Sequence, residues 1–372
     1  MRPKQRSRAA DKKWTGTAPE HHDDLMRAPA AETNLFLCCF AWFTAGATLL
    51  LICSGGMVTS KGVGLAVPDW PTTFGYNMFF FPISKWVGGI FFEHTHRLIA
   101  SIVGVLTIIL AVWLAFSKVE RWVKWLGWTS LGAVVLQGIL GGLRVTLMKD
   151  QIGIFHACVA QAFFGMLVVV ALALSPVWQR LRPFVRQNTG SLARVAIVIS
   201  AIVYGQLALG ATMRHQHRDL SITDFPLAYG QIIPRTDPAT IAQFNAARER
   251  LALSEVTRGQ IWLQMAHRCG ALIIGLSIFG FWFLVRREGV ALPSLGRLST
   301  FWAAFVVIQI TLGAWTIWSN KAADIATAHV AVGAITFVTG VAISALALRL
   351  DHLTRDPLPA RRPLDLAEAK NP

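Results

Sequence analysis

Eight stretches of the chain carry enough consecutive apolar residues to cross a hydrocarbon core about 30 Å thick. They fall at 34–59, 90–116, 123–145, 153–175, 192–213, 259–285, 298–319 and 325–349. Helix is the regular structure such segments adopt in lipid, because an open sheet edge leaves its backbone groups unpaired there. The pattern predicts an all-α integral membrane protein with eight transmembrane helices. The polar remainder divides the chain into a basic tail (1–33), a first four-helix bundle (34–175), a linker (176–191), a second four-helix bundle (192–349) and a polar C-terminal tail (350–372). The first apolar run has no small-residue cleavage site, so it reads as a retained helix rather than a signal peptide. A long loop, 214–258, lies inside the second bundle. Within it Ile241, Phe244 and Leu251 recur at helical spacing with Arg248, Glu249 and Arg250 between them. That spacing predicts a short amphipathic helix over 238–251, lying on the membrane surface.

The charges set the orientation. With the N-terminus inside, the inner segments hold 22 Lys and Arg and the outer segments 11, six of them in the 214–258 loop. The positive-inside rule then gives an N-in/C-in topology. The formal net charge of +15 raises the question of nucleic acid. The cations sit between apolar runs rather than on one face, so topology accounts for them and no nucleic-acid partner is expected. The five cysteines, Cys38, Cys39, Cys53, Cys158 and Cys269, lie in or at the edge of apolar spans, with no CxxC or CxxCH. Their placement argues against covalent c-type haem and against a zinc site.

Four histidines change the picture, because they come in two matching sets. His96 and His156 are 60 residues apart, and His267 and His329 are 62 apart. The flanking text repeats: Ile90 to Arg97 aligns with Ile261 to Arg268, and Gln137-Gly-Ile-Leu-Gly141 with Gln309-Ile-Thr-Leu-Gly313. The outer loop Val67-Pro-Asp69-Trp-Pro71 with Gly75 recurs as Ile222-Thr-Asp224-Phe-Pro226 with Gly230. The chain therefore reads as an internal repeat, two pseudo-symmetric four-helix bundles. All four histidines start helices that run from outside to inside, at similar depth. A single intramembrane histidine is most often a hydrogen-bonded residue or part of a proton path. Four in register point instead to two sites, each clamping a planar macrocycle between two axial imidazoles. His21, His22 and His352 lie in polar tails, His94 points about 160° away from His96 on a helix, and His215 and His217 begin the long loop as surface residues or at a haem edge.

Glu93 lies three residues before His96, on the same helical face, and its repeat partner is Gln264. A carboxyl in one half only implies different work in the two halves. The alternative is that Glu93 simply pairs with Arg97. Arg97, Arg268 and Arg144 are candidate partners for haem propionates through the guanidinium fork. A residue adjacent to a ligand points about 100° from it, however, so pairing with the loops stays open. Asp69 and Asp224, beside prolines, read as turn formers. Glycines such as Gly55, Gly141 and Gly210 suit close helix packing or room for a macrocycle.

At Glu93-x-x-His96-Arg97, Gly141-Gly-Leu-Arg144, His267-Arg268 and Ala326-Thr-Ala-His329 the chain resembles the haem A synthase family, over about residues 35–350. The resemblance implies that His96 and His156, with Arg97, bracket the substrate haem O. It implies that His267 and His329, with Arg268, hold a resident haem b, and that Glu93 assists catalysis. The implied activity is that of an oxidoreductase taking a haem O methyl group to a formyl group through hydroxylated intermediates. The implied setting is a bacterial plasma membrane or the mitochondrial inner membrane. A haem O synthase and cytochrome oxidase assembly factors are the implied partners, with membrane lipid and a possible homo-oligomer. The outer-loop cysteine pairs of some bacterial members are missing. A non-catalytic di-haem electron carrier and a haem transporter or chaperone are the competing readings; neither accounts for Glu93 standing against Gln264.

Overall fold

The computed structural model describes residues 34–179, 181, 189–216, 220–287 and 293–355. Among these, eight helices are long and apolar enough to cross a membrane. In chain order they are α1 (Leu35–Ser60), α2 (Gly88–Phe116), α3 (Arg121–Leu147), α4 (Asp150–Ala173), α6 (Thr189–Gln216), α8 (Arg258–Arg287), α9 (Pro293–Trp318) and α10 (Ala323–Arg355), with a single turn α5 (Pro176–Gln179) and a surface helix α7 (Pro238–Glu249) between them. Each predicted span is present. Most extend by a few polar residues at their ends, where local groups satisfy the first N–H groups and last carbonyls. Asn34 caps α1 by accepting from the Leu37 N–H at 3.1 Å. Met148, left-handed at φ 50°, ends α3. The tails 1–33 and 356–372, His217 and half of the 176–191 linker lie outside the described residues.

Helices α1 to α4 pack as a ring of four in which α2 and α4 stand on one diagonal. Helices α6, α8, α9 and α10 form a second ring, with α8 and α10 on its diagonal. The rings meet along a seam of α1 and α4 against α6 and α10. One set of fully buried apolar side chains, among them Leu37, Leu114, Leu167, Ile278, Trp302 and Leu346, lies toward the end remote from the long loops, and a smaller cluster of Ile222, Ala228, Val256 and Ile261 lies at the loop end. Small residues let the backbones approach there: a Cβ on Gly340 would lie 2.6 Å from the Trp302 ring, and one on Gly127 2.8 Å from Leu114. Buried hydroxyls are satisfied inside their own helices, as Thr44 to the Phe40 carbonyl (2.9 Å) and Ser200 to Ala196 (2.7 Å). Lipid cannot supply those partners. Outward-facing Ile102, Val105, Leu272, Leu276 and Phe283 are exposed, which suits a hydrocarbon surrounding.

The surface helix α7 differs from expectation on one face. Ile241 and Phe244 turn inward, with the Phe244 ring stacked 3.8 Å from Tyr229, but Leu251 is 71% exposed. Arg248 takes the buried place instead, donating to the carbonyls of Ser254 (2.7 Å) and Leu220 (2.8 Å). An arginine can occupy an inward position when loop carbonyls accept its fork, and sequence periodicity does not record that.

Candidate functional site

Each histidine stands seven to ten residues into its helix from the loop end: His96 on α2, His156 on α4, His267 on α8 and His329 on α10. Rise per residue puts all four about 10–15 Å below that end. Because the pairs occupy ring diagonals, each faces across the interior of its own bundle. The His267 and His329 ring centres are 6.5 Å apart. A single cavity of about 980 Å³ reaches both pairs and crosses the seam.

The imidazoles are fitted by missing side chains on the neighbouring helices. A Cβ on Gly55 of α1 would come within 2.9 Å of His96 Cε1, and one on Gly141 of α3 within 3.4 Å of His156. The second bundle repeats the device, with Gly210 of α6 at 3.3 Å from His267 and Gly313 of α9 at 3.1 Å from His329. Glutamines fix two of the histidine-bearing helices: Gln137 donates to the His156 carbonyl (2.9 Å) and Gln206 to that of His267 (2.7 Å). Gln206 and its role carry no sequence signal, since the matching position in the first half is Leu51.

Tautomers follow from the hydrogen bonds. The His329 Nδ1 lies 3.1 Å from the Gln309 carbonyl, which only accepts, so Nδ1 carries the proton. The Ser54 hydroxyl gives its one hydrogen to the Leu51 carbonyl (3.0 Å), so it accepts from His96 Nδ1 at 2.7 Å. Both rings thereby present an unprotonated Nε2, the form that binds a metal. Nδ1 of His156 and of His267 is buried without a partner. A metal bound about 2 Å from each of two facing imidazole nitrogens puts the ring centres roughly 6 Å apart, which the second pair matches. Among the described residues no three His, Cys, Asp or Glu side chains gather as a bare ion requires. Two axial donors per bundle suit a group that brings its own equatorial donors, as a haem does.

The two matched loops are locked to this end of the bundles by the same contacts. Asp69 accepts from the Phe74 N–H (2.7 Å), the Gly75 N–H (2.8 Å) and the Thr72 hydroxyl (2.5 Å). Asp224 accepts from Tyr229 (2.7 Å) and Gly230 (2.9 Å). These are the expected turn-forming roles. Phe74-Gly75 and Tyr229-Gly230 both have positive φ, inside two-residue turns closed by Thr73 to Tyr76 and Ala228 to Gln231 pairing. Partial burial pushes the Asp69 carboxyl up, but the Gly75 and Phe74 N–H groups and the Thr72 hydroxyl outweigh it and hold it below the usual carboxylate range.

Glu93 is buried and both its oxygens are engaged, Oε1 with Arg97 at 2.8 Å and Oε2 with the Val67 N–H at 2.9 Å. Arg97 in turn donates to the carbonyls of Val67 (2.9 Å), Asp69 (2.7 Å) and Thr72 (3.1 Å). Gln264 does the equivalent work alone, accepting from Ile222 N–H (2.8 Å) and donating to the Ile222 carbonyl (3.0 Å). Arg268 donates to Asp224 (2.6 Å) and Leu227 (2.8 Å) carbonyls. Glu93, Gln264, Arg97 and Arg268 all line the cavity while clamping the loops. His94 points away from His96 as expected, and is fully buried between Phe81 and Trp86 with Nδ1 3.2 Å from the Thr73 hydroxyl.

Two residues at the seam complete the site. Arg214, not singled out by the sequence pattern, donates to Ala326 (3.1 Å) on α10 and to the Gly56 carbonyl (2.9 Å) and Ser60 hydroxyl (2.7 Å) on α1. His215 belongs to the last turn of α6 rather than to the loop, and its Nδ1 meets Arg144 Nη1 at 3.3 Å. The helix runs on because Arg214 anchors it to both neighbours.

Eight apolar helices, a cavity across two four-helix rings and a facing histidine pair in each define a polytopic membrane protein with four histidines lining one cavity. Comparison with known proteins places it more closely. The chain belongs to the COX15-CtaA family, described as cytochrome oxidase assembly protein, whose model matches residues 38–341. It is 28% identical over 242 residues to the heme A synthase of Shouchella clausii, covering 63% of this chain and 70% of that one. It is 24% identical over 320 residues to the heme A synthase of Shewanella oneidensis, covering 80% and 92%. A Staphylococcus aureus heme A synthase is 23% identical over 329 residues, covering 85% and 97%.

Proposed function

We propose that this chain is a haem A synthase, an oxidoreductase that converts a methyl group of haem O to the formyl group of haem A for cytochrome oxidase. The observation that carries the reading is the pair of glycine-fitted histidine sites in one cavity, in a chain whose relatives are heme A synthases. In this reading His96 and His156 bracket the substrate haem O. His267 and His329 hold a resident haem b, which supplies one-electron transfer when bound. The orientation from the cation count puts the loop end, and so both sites, at the outer side of the plasma membrane or its mitochondrial equivalent.

The residues of the chain bind, orient and exclude water. Ser54 and the Gln309 carbonyl fix the tautomers that leave Nε2 of His96 and His329 free. The apolar cavity wall keeps bulk water from the reacting edge. The clamped loops roof it, with Arg97 and Arg268 holding their carbonyls. Glu93 places the only carboxylate among the described lining residues one turn from His96, where it partners a developing positive charge or takes a proton. Gln264 fills the same position in the second bundle with a group that does neither, which supports the first bundle as the place of chemistry.

His267→Ala or His329→Ala should remove the resident haem absorbance from the purified protein. His96→Ala and His156→Ala should retain it and abolish haem A formation. An undiminished resident spectrum in either second-bundle variant contradicts the assignment.

A further inference from the structure

Among the described residues the cavity is lined by four arginines, Arg97, Arg144, Arg214 and Arg268, and by Lys321, against one carboxylate, Glu93. Arg97 already holds that carboxylate and spends four hydrogen bonds on Glu93 and the loop. Arg214 is committed to Ala326, Gly56 and Ser60, and both terminal nitrogens of Arg268 to loop carbonyls. Arg144 stands apart. Its one hydrogen bond among the described residues is to His215 Nδ1, and no carboxylate lies within 4.0 Å of it. Arginine only donates, so His215 accepts at Nδ1 and carries its own proton on Nε2. The pair thus offers several N–H donors and no acceptor. Asp150 and Glu93 balance the charge of Arg144 from a distance without pairing with it, and an intramembrane cation with open donors marks a ligand site.

The pair is also placed for a ligand. A Cβ on Gly153 would come within 2.5 Å of Arg144 Nη1 and 2.7 Å of His215 Nδ1, so both side chains lie directly over that residue. Gly153 is three residues before His156, on the same face of α4 and one turn nearer the loop end. Arg144 comes from α3 of the first ring and His215 from α6 of the second. The repeat positions are Thr316 for Arg144 and Ser60 for His215, so no equivalent pair exists in the second bundle.

We propose that Arg144 and His215 form an anion subsite, built across the seam, that binds a carboxylate of the macrocycle held between His96 and His156. The second ring therefore completes the substrate site of the first. This rests on the haem reading above and names which cation takes the acidic edge of the substrate: Arg144, with His215, rather than the loop-bound Arg97. The subsite selects for a ring with a free carboxylate, and fixes its rotation about the axis between the two imidazoles.

The test uses the full-length protein in lipid nanodiscs, titrated with iron protoporphyrin IX and with its dimethyl ester. A charge-assisted hydrogen bond should make wild type prefer the diacid by about 10- to 100-fold. Arg144→Gln should weaken the diacid alone and bring the two probes within about threefold of each other; Arg144→Lys should keep an intermediate preference. Circular dichroism and the second-bundle spectrum report that each variant is folded. An unchanged preference in Arg144→Gln, or equal weakening of both probes, overturns the subsite. Failure of the haem reading shows separately: His96→Ala then leaves binding of both probes intact.

Discussion

Replacing each of the four glycines that face an imidazole with alanine gives a graded prediction. The added Cβ would sit 2.9 Å from the ring at Gly55, 3.1 Å at Gly313, 3.3 Å at Gly210 and 3.4 Å at Gly141. Carbon atoms prefer separations of about 3.5–4.0 Å, so Gly55→Ala asks the His96 ring to move by roughly 0.6 Å or more. His96 cannot swing freely, because Ser54 holds its Nδ1 at 2.7 Å. Overpacking costs about 1–3 kcal/mol, offset by about 1 kcal/mol of helix propensity, for a net loss of about 0–2 kcal/mol. Ligation tolerates displacement of about 0.5 Å. Gly55→Ala should therefore stay folded yet lose first-bundle haem affinity, while Gly141→Ala should bind as wild type and melt at the same or a higher temperature. The assay is a haem titration followed by absorbance, with thermal melting in detergent. Equal effects at Gly55 and Gly141, or wild-type affinity in Gly55→Ala, refute the reasoning.

Other perturbations separate scaffold from chemistry. Glu93→Gln should keep the loop docked, as Gln264 does in the second bundle, and retain haem, yet lower haem A formation by about 100-fold or more; full activity contradicts the role of the carboxylate. Asp69 has a depressed folded-state pKa, so its contribution to loop stability is present above the unfolded value of about 3.9 and is lost as pH falls through the folded one. Hydrogen exchange at Phe74 and Gly75 should accelerate over that acid window in wild type, and be fast and pH-independent beyond intrinsic exchange in Asp69→Ala. Arg248→Ala strands the Leu220 and Ser254 carbonyls at a cost of about 1–3 kcal/mol, which limited proteolysis within 220–257 should report as faster cleavage.

The helices were legible because lipid leaves apolar runs one regular structure. The four histidines were legible because they recur in register with their neighbours. The sequence also exposed Glu93 against Gln264, but not that both clamp the first residue of a matched loop. That fact depends on Val67 and Ile222 folding back onto α2 and α8. Arg97 and Arg268 follow cavity histidines in sequence yet turn toward loop carbonyls, since neighbours on a helix diverge by about 100°. Arg248, His215 and Gln206 owe their places to partners from distant segments: Leu220, Arg144 and the His267 carbonyl. No local pattern encodes those meetings.

The central claim is that this chain turns haem O into haem A using Glu93 beside the first histidine pair. It is tested most directly by chromatographic mass analysis of haems extracted from cells that make haem O, with the wild-type chain, with Glu93→Gln and with neither. The account predicts haem A, or its hydroxylated precursor, only with the wild-type chain. Haem O and haem b alone beside a folded, haem-loaded wild-type protein would contradict it and leave an electron carrier.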